Sequence, residues 1–202
     1  MKLYGTSKSR ASRSLWALEE LAVAYEQIPI APYTQSRSPE YLRINPNGHI
    51  PALDDDGLII WESMAINLYL ADKHGRAPLW PGTPAERGAI YQWSFWAVTE
   101  NEPRQVAHAL ARRSGDASAS KAALEGLMSA LAVLNTHLRR RSYLLGDTFT
   151  IADLNLASCL REPQEHGIGN NDEIKTSVIP AVMDWLDRCC ERPSYRAVRD
   201  LP

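Results

Sequence analysis

The sequence predicts an α/β domain of βαβ then ββα order over residues 1–76, followed by an all-helical bundle domain over 85–202. Three observations carry that prediction. Short β-like runs alternate with helical patterns over the first 74 residues, the stretch GRAPLWPGTP over 75–84 interrupts the chain with prolines and glycines, and beyond it every strong periodicity is helical.

Lys2 to Thr6 is a β-like run, followed by the polar loop Ser7-Lys8-Ser9-Arg10. From Ala11 the apolar residues fall at 11, 15, 18, 21, 22 and 25, the spacing of one helix face in good helix formers. Tyr25 to Ile30 returns to a β-like run limited by Pro29 and Pro32. A strand, a crossover helix and a second strand imply parallel pairing. Thr34 to Asn45 is a polar connection with one helical turn at Pro39 to Leu42.

The stretch NPNGHIPALDDDGLIIWES, Asn45 to Ser63, is the most informative part of the chain. Pro51-Ala52-Leu53 reads as a strand, Asp55-Asp56-Gly57 as a turn and Leu58 to Trp61 as the returning strand. Proline cannot donate to a ladder, so Pro51 opens its strand or lies outside the pairing. The Ile50-Pro51 bond is a candidate for cis, since an X-Pro peptide lowers the cis penalty to roughly 0.5–1 kcal/mol. That arrangement turns the amide and carbonyl of Ile50 outward, where an extended peptide can pair with them. Ser63 is the expected N-cap of a helix from Met64 to His74, whose free N–H groups and dipole suit a carboxylate. Strand edge and helix start together describe a site for a small, anionic, peptide-like ligand.

Beyond the linker, Ala85 to Ala111 predicts one long helix bent at Pro103, and Ser118 to Arg141 a second. Thr150 is the expected N-cap of a third, with Asp153 as its reciprocal partner and Phe149 and Leu154 as a hydrophobic staple. A fourth runs from Pro180 to Cys190, and a last turn lies at Ser194 to Val198.

Composition narrows the partners. Lys plus Arg number 22 and Asp plus Glu 24, a net charge of −2 that gives no electrostatic reason to expect nucleic acid or a membrane surface. Cys159, Cys189 and Cys190 form neither CxxC nor a zinc-type spacing, so no metal is expected and the thiols read as reduced. No signal-peptide pattern and no run approaching a membrane span is visible, and the expected location is cytoplasmic.

NPNGHIPAL with the following ESMAI, the box TFTIADL and the terminal RPSYRAV, in this order, resemble the cytosolic glutathione transferase family over nearly the whole chain. The opening LYGTSKSRASRSLWALEEL is similar to the subset with an SRA motif after the first strand, which includes the chi class. The resemblance implies a thioredoxin-like N-terminal domain, a helical C-terminal domain and a homodimer. It implies that the cysteinyl part of glutathione pairs with Ile50 beside cis-Pro51. The γ-glutamyl carboxylate would meet Ser63, with Glu62 orienting that end, and Arg37 and His49 stand where relatives hold the glycyl carboxylate.

Binding alone does not make the sulfur reactive. A cysteine-like thiol has a pKa of about 8.5, and lowering it by about two units needs roughly 2.7 kcal/mol of differential stabilisation, the size of a charge-assisted hydrogen bond aided by a helix dipole. The donor must stand at the end of the first strand or the start of the first helix. Cysteine is absent there, and Tyr4 lies inside the strand as a core residue. Ser7, Ser9, Arg10 and Ser12 remain. An ungapped count back from Arg13 puts Lys8 where serine-type relatives have their serine, so the loop differs in length from theirs. Ser9-Arg10 match the SRA motif, which implicates the arginine. Arg10 would act as a fixed cation and Ser9 as hydroxyl donor, with nearly equal claims, while Arg13 reads as a structural helix charge.

The resemblance places an electrophile pocket between the domains. Tyr91, Trp93, Phe95 and Trp96 read mostly as core with one or two as pocket lining, and Glu100 and Glu102 as candidates to reach a partner subunit's glutathione. The expected function is conjugation of glutathione, as co-substrate and without a cofactor, to hydrophobic electrophiles, with peroxide reduction as an additional activity. The alternatives are a non-catalytic binder of glutathione or apolar ligands, and an assembly domain of the same fold.

Overall fold

The computed structural model describes residues 1–161, 174, 176–199 and 201. Strand β1 (Lys2–Tyr4) pairs in parallel with β2 (Glu26–Ile28) and antiparallel with β3 (Ala52–Asp55), which pairs antiparallel with β4 (Leu58–Trp61), giving the order β2-β1-β3-β4. The crossover between β1 and β2 is helix α1 (Ala11–Glu20). The expected parallel pair is therefore present, with strands shorter than the β-like runs.

Helix α2 (Pro39–Leu42) is one turn, started by Pro39 and capped by Ser38, whose Oγ accepts from Tyr41 N–H at 3.2 Å. Helix α3 (Ser63–His74) packs on α1 and on the β3–β4 hairpin. Leu3, Leu15, Leu18, Ala52, Leu53, Ile66 and Leu70 are fully buried and make this unit's core. Each such leucine or isoleucine contributes about 1.5–3 kcal/mol by leaving water.

Asp56 and Gly57 form the hairpin turn with φ of 53° and 96°, the left-handed geometry that matches the twist of the flanking strands. Asp55, expected in the turn, instead ends β3 opposite Leu58. Its carboxylate accepts from the Tyr69 hydroxyl and the Lys73 ammonium of α3, so it ties hairpin to helix. The Lys73 hydrogen bond first, and the Tyr69 one next, hold Asp55 below the usual carboxylate range.

Residues Met1–Trp80 and Glu191–Pro202 form one compact unit, and Pro81–Cys190 the other. The last residues of the helical domain expected over 85–202 belong instead to the first unit, where helix α9 (Pro193–Arg199) packs on α1.

In the second unit, α4 (Pro84–Trp96) leads through a π-helical turn, Ala97–Asn101, into α5 (Glu102–Ser114). The long helix expected to bend at Pro103 has this wider turn just ahead of that proline. Proline has no N–H and its ring crowds the carbonyl four residues back, here that of Thr99, and a wider turn relieves both problems. Helix α6 (Ala117–Leu138) is capped by Asp116, which accepts from Ser118 and Ala119 N–H at 2.9 Å. Contrary to expectation, α6 is long and apolar enough to cross a membrane. Its buried residues Leu127, Ala130, Leu131, Leu134 and Leu138 nevertheless lie on one stripe, packed by α5 and α8 (Pro180–Cys190), as in a one-sided helix of a globular unit.

Helix α7 (Ile151–Leu160) is buried throughout, and the Thr150–Asp153 capping box is present at its start. Asp153 accepts four hydrogen bonds: from Leu144 N–H at 2.8 Å, Trp185 Nε1 at 2.8 Å, Thr150 N–H at 2.9 Å and Thr150 Oγ1 at 3.0 Å. Burial raises its pKa and these donors oppose the rise. The cap thereby fastens the 144 loop and α8 as well as its own helix.

Candidate functional site

The register of the sheet decides which predicted residues meet. Tyr4 pairs with Ala52, and Ala52 with Trp61. The exit of β1, the approach to β3 and the exit of β4 therefore lie at one end of the sheet. Three segments converge there: Gly5 to Arg10, His49 to Pro51, and Glu62 to Ser63. Gly5 makes the approach close, because at φ 136° a Cβ on it would lie 2.5 Å from Ala11 Cβ and 3.5 Å from Ile50 Cβ. The first residue of α1 and Ile50 thus both border one glycine.

The loop before Pro51 is built from hydrogen bonds on backbone groups. Asn45 is buried, accepts from Asn47 N–H at 3.0 Å and donates through Nδ2 to the His49 carbonyl at 2.7 Å. The Tyr41 hydroxyl donates to that same carbonyl at 2.8 Å. Burial, with Tyr4 beside it, raises the Tyr41 pKa, and the Tyr4 ring meets Tyr41 edge-on at 6.1 Å. Arg37 Nη1 donates to the Asn47 carbonyl at 2.8 Å. Gly48 has φ 61°, and a side chain on it would press on Ser36 O and Arg37 Nη1, each at 2.8 Å. With His49 fixed in this way, the Ile50-Pro51 bond is cis, as expected. Among the described residues neither the N–H nor the C=O of Ile50 takes part in a hydrogen bond.

On the other side of the hairpin, Ser63 is the first residue of α3 rather than its N-cap; that place belongs to Glu62. The one-residue shift follows from the backbone of Glu62, at φ 73° and ψ 116°, which turns the chain sharply from strand into helix. A non-glycine residue there stores about 1–3 kcal/mol. Glu62 is exposed, while Ser63 is only 7% exposed at the helix start. The first N–H groups of α3 have no partner within the helix and point outward with its positive dipole end.

The loop after β1 holds the candidate activating groups. Ser9 is 4% exposed; its Oγ donates to Thr6 O at 2.8 Å and accepts from Ala11 N–H at 3.2 Å. Arg10 is exposed and occupies the N-cap of α1. Arg13, expected as a structural helix charge, is 1% exposed, and its carbonyl accepts from Asn67 Nδ2 at 3.3 Å. Arg37 and His49 are both exposed, and Arg37 already braces the 45–49 loop. Among the described residues no His, Cys, Asp and Glu cluster could hold a metal ion.

Residues 1–72 match the glutathione S-transferase N-terminal domain family, and residues 89–193 match the C-terminal domain family. The chain belongs to the glutathione S-transferase family. It is 31% identical to glutathione S-transferase GstB of Escherichia coli strain K12, over 99% of this chain and 98% of that one. Glutathione S-transferase F13 of Arabidopsis thaliana is 30% identical over 98% of this chain and 94% of its own. Among solved structures, the theta class glutathione S-transferase of Xanthomonas axonopodis pv. citri, with glutathione bound, superposes with a TM-score of 0.84 at 28% identity, covering 100% of this chain and 97% of that one. These matches carry the family and not a class within it.

Three residues that shape this transferase site had no distinct signal in sequence: Gly5, whose missing side chain lets α1 approach Ile50; Tyr41, whose hydroxyl reaches eight residues along the chain; and Asn45, which holds the loop from within. In the helical unit, Trp93 is buried against Trp96 at 5.5 Å and His137 at 4.6 Å, whereas Tyr91 and Phe95 are exposed. Glu100 pairs with Arg104 at 2.8 Å, and Glu102 is buried.

Proposed function

We propose that this protein binds glutathione at the converging sheet end, ionises its thiol and adds the thiolate to small hydrophobic electrophiles. The observation that carries this reading is the unpaired N–H and C=O of Ile50 at the same sheet end as the start of α3. The cysteinyl backbone of glutathione pairs with Ile50 beside Pro51, as one added strand. Its γ-glutamyl carboxylate accepts from the N–H and hydroxyl of Ser63, and the nearby ammonium meets Glu62. Arg37 and His49 face the glycyl carboxylate.

Arg10 supplies a fixed positive charge for the thiolate, and its guanidinium cannot serve as base at neutral pH. Ser9 supplies a hydrogen bond if its proton swings from Thr6 O to the sulfur. The Ala11 N–H still holds the oxygen during that swing, so only the hydrogen moves. The thiol proton leaves to solvent, the thiolate forms the new S–C bond, and with an aryl halide the halide departs. Isothiocyanates and peroxides are further candidate electrophiles. Glutathione is a co-substrate here, and no cofactor or metal is invoked.

One observation favours a second reading, a glutathione-binding protein without turnover: the Ser9 proton is already held by the Thr6 carbonyl. Calorimetry with glutathione and a rate assay with an activated aryl chloride separate the two. Binding with a rate above that of the thiol alone supports the transferase, and tight binding without thiolate absorbance supports the binder. No binding at millimolar glutathione overturns both. We place the protein in the cytoplasm as a homodimer; the exposed Leu58, Ile59 and Trp61 on edge strand β4 offer an apolar strip for a second copy, and light scattering tests it.

A further inference from the structure

We propose that Glu191–Arg199 together with Leu201 form a brace that sets the position of the loop carrying Ser9 and Arg10, with Ser7 as the positioning residue that joins the two. The inference rests on the reading above and adds to it a control on thiol ionisation by residues that do not touch glutathione.

The segment runs along α1 and is attached at three levels. At the far end of the helix, Arg192 Nε donates to Glu20 Oε2 at 2.9 Å, its Nη2 donates to Glu20 Oε1, and the Ser194 hydroxyl donates to Glu20. Midway, Trp16 Nε1 donates to Ser194 Oγ at 3.1 Å, and the Trp16 and Tyr195 rings meet edge-on at 4.9 Å. At the near end, the Ser7 hydroxyl donates to the Leu201 carbonyl at 3.2 Å. Leu201 is held to α9 through its N–H on Val198 O at 3.2 Å, and Val198 is buried.

The loop itself is short and locally bonded. Ser9 N–H donates to Thr6 O at 3.1 Å, and Ser12 N–H to Ser9 O at 2.9 Å. These bonds fix its curl but refer only to its own neighbours. Ser7, 6% exposed, ties it to residues almost two hundred positions away. A fixed charge or hydroxyl stabilises a thiolate only when held in place, because interaction energy falls with distance and a mobile donor must be ordered again on each turnover. Ser7 and the brace supply that constraint through groups other than Ile50 and Ser63.

The test is Ser7→Ala, with Glu20→Ala as a second variant at the opposite end of the brace and Ser7→Thr as the conservative one. Bound glutathione is titrated by thiolate absorbance, kcat is measured at neutral pH, and S-methylglutathione, which has no ionisable thiol, reports binding alone. Ser7→Ala is expected to raise the thiol midpoint by about half a pH unit and lower kcat at neutral pH by about a third, the thiolate lost when a midpoint near 6.5 moves to about 7, with S-methylglutathione affinity within about twofold of the parent. Glu20→Ala shifts both in the same direction by less, and Ser7→Thr restores the midpoint. Folded Ser7→Ala and Glu20→Ala proteins with unchanged midpoint and kcat would overturn the brace. A matching loss of S-methylglutathione affinity would also overturn it, by making Ser7 a ligand contact. If the parent binds glutathione but leaves its thiol protonated, the transferase reading fails and the brace has nothing to act on.

Discussion

The Tyr41 hydroxyl donates to the His49 carbonyl at 2.8 Å, and that carbonyl belongs to the residue immediately before the proposed glutathione edge. Together with Asn45 Nδ2, it fixes the His49 carbonyl from the protein side, so the next residue presents its groups outward. A hydrogen bond from a one-turn helix thereby sets the orientation of Ile50.

Tyr41→Phe removes the hydroxyl and keeps the ring. Stability is expected to fall by about 1 kcal/mol, the worth of one hydrogen bond. Glutathione affinity should fall a few-fold while kcat at saturating glutathione stays near the parent, since the activating groups lie on the other loop. Calorimetry and a kcat and KM comparison check the split.

Glu62 holds φ 73° and ψ 116° without being glycine, at the exposed junction of β4 and α3. Glu62→Gly releases the strain of about 1–3 kcal/mol, partly offset by about 0.4–1 kcal/mol from the freer unfolded chain. The variant is expected to melt at least as high as the parent and to bind glutathione more weakly. A lower melting temperature with unchanged affinity would remove Glu62 from the site.

Asp55 gives the pH dependence a definite sign. Its carboxyl titrates below the ordinary range because Lys73 and then Tyr69 donate to the charged form. Folding therefore favours ionised Asp55; the contribution is full above the unfolded value of about 3.9 and is lost as pH falls through the lower folded value. The melting-temperature gap between parent and Asp55→Asn should be constant near neutrality and close in acid below about pH 4. A gap that persists undiminished near pH 2, roughly two units under the unfolded value, contradicts the assignment.

Much of the fold was legible because its determinants are local. The parallel β1–β2 pair followed from a helical pattern between two β-like runs, and the Thr150–Asp153 box from residues three apart. What Asp153 does beyond its helix was not legible, since Leu144 and Trp185 reach it from 9 and 32 residues away. The site divided in the same way. The Ile50-Pro51 edge could be read from proline chemistry, but the shift of the cap from Ser63 to Glu62 arises from a backbone conformation that side-chain preferences disfavour. The association of Glu191–Arg199 with α1 rests on contacts between residues far apart in sequence, and no periodicity announces those.

Ultraviolet titration of the thiolate of bound glutathione reads out whether the site ionises the sulfur. The midpoint is expected about two units below the value near 8.5 of a free thiol, and to move upward more in Arg10→Ala than in Ser9→Ala. A saturated protein whose bound thiol titrates at the free value would contradict it.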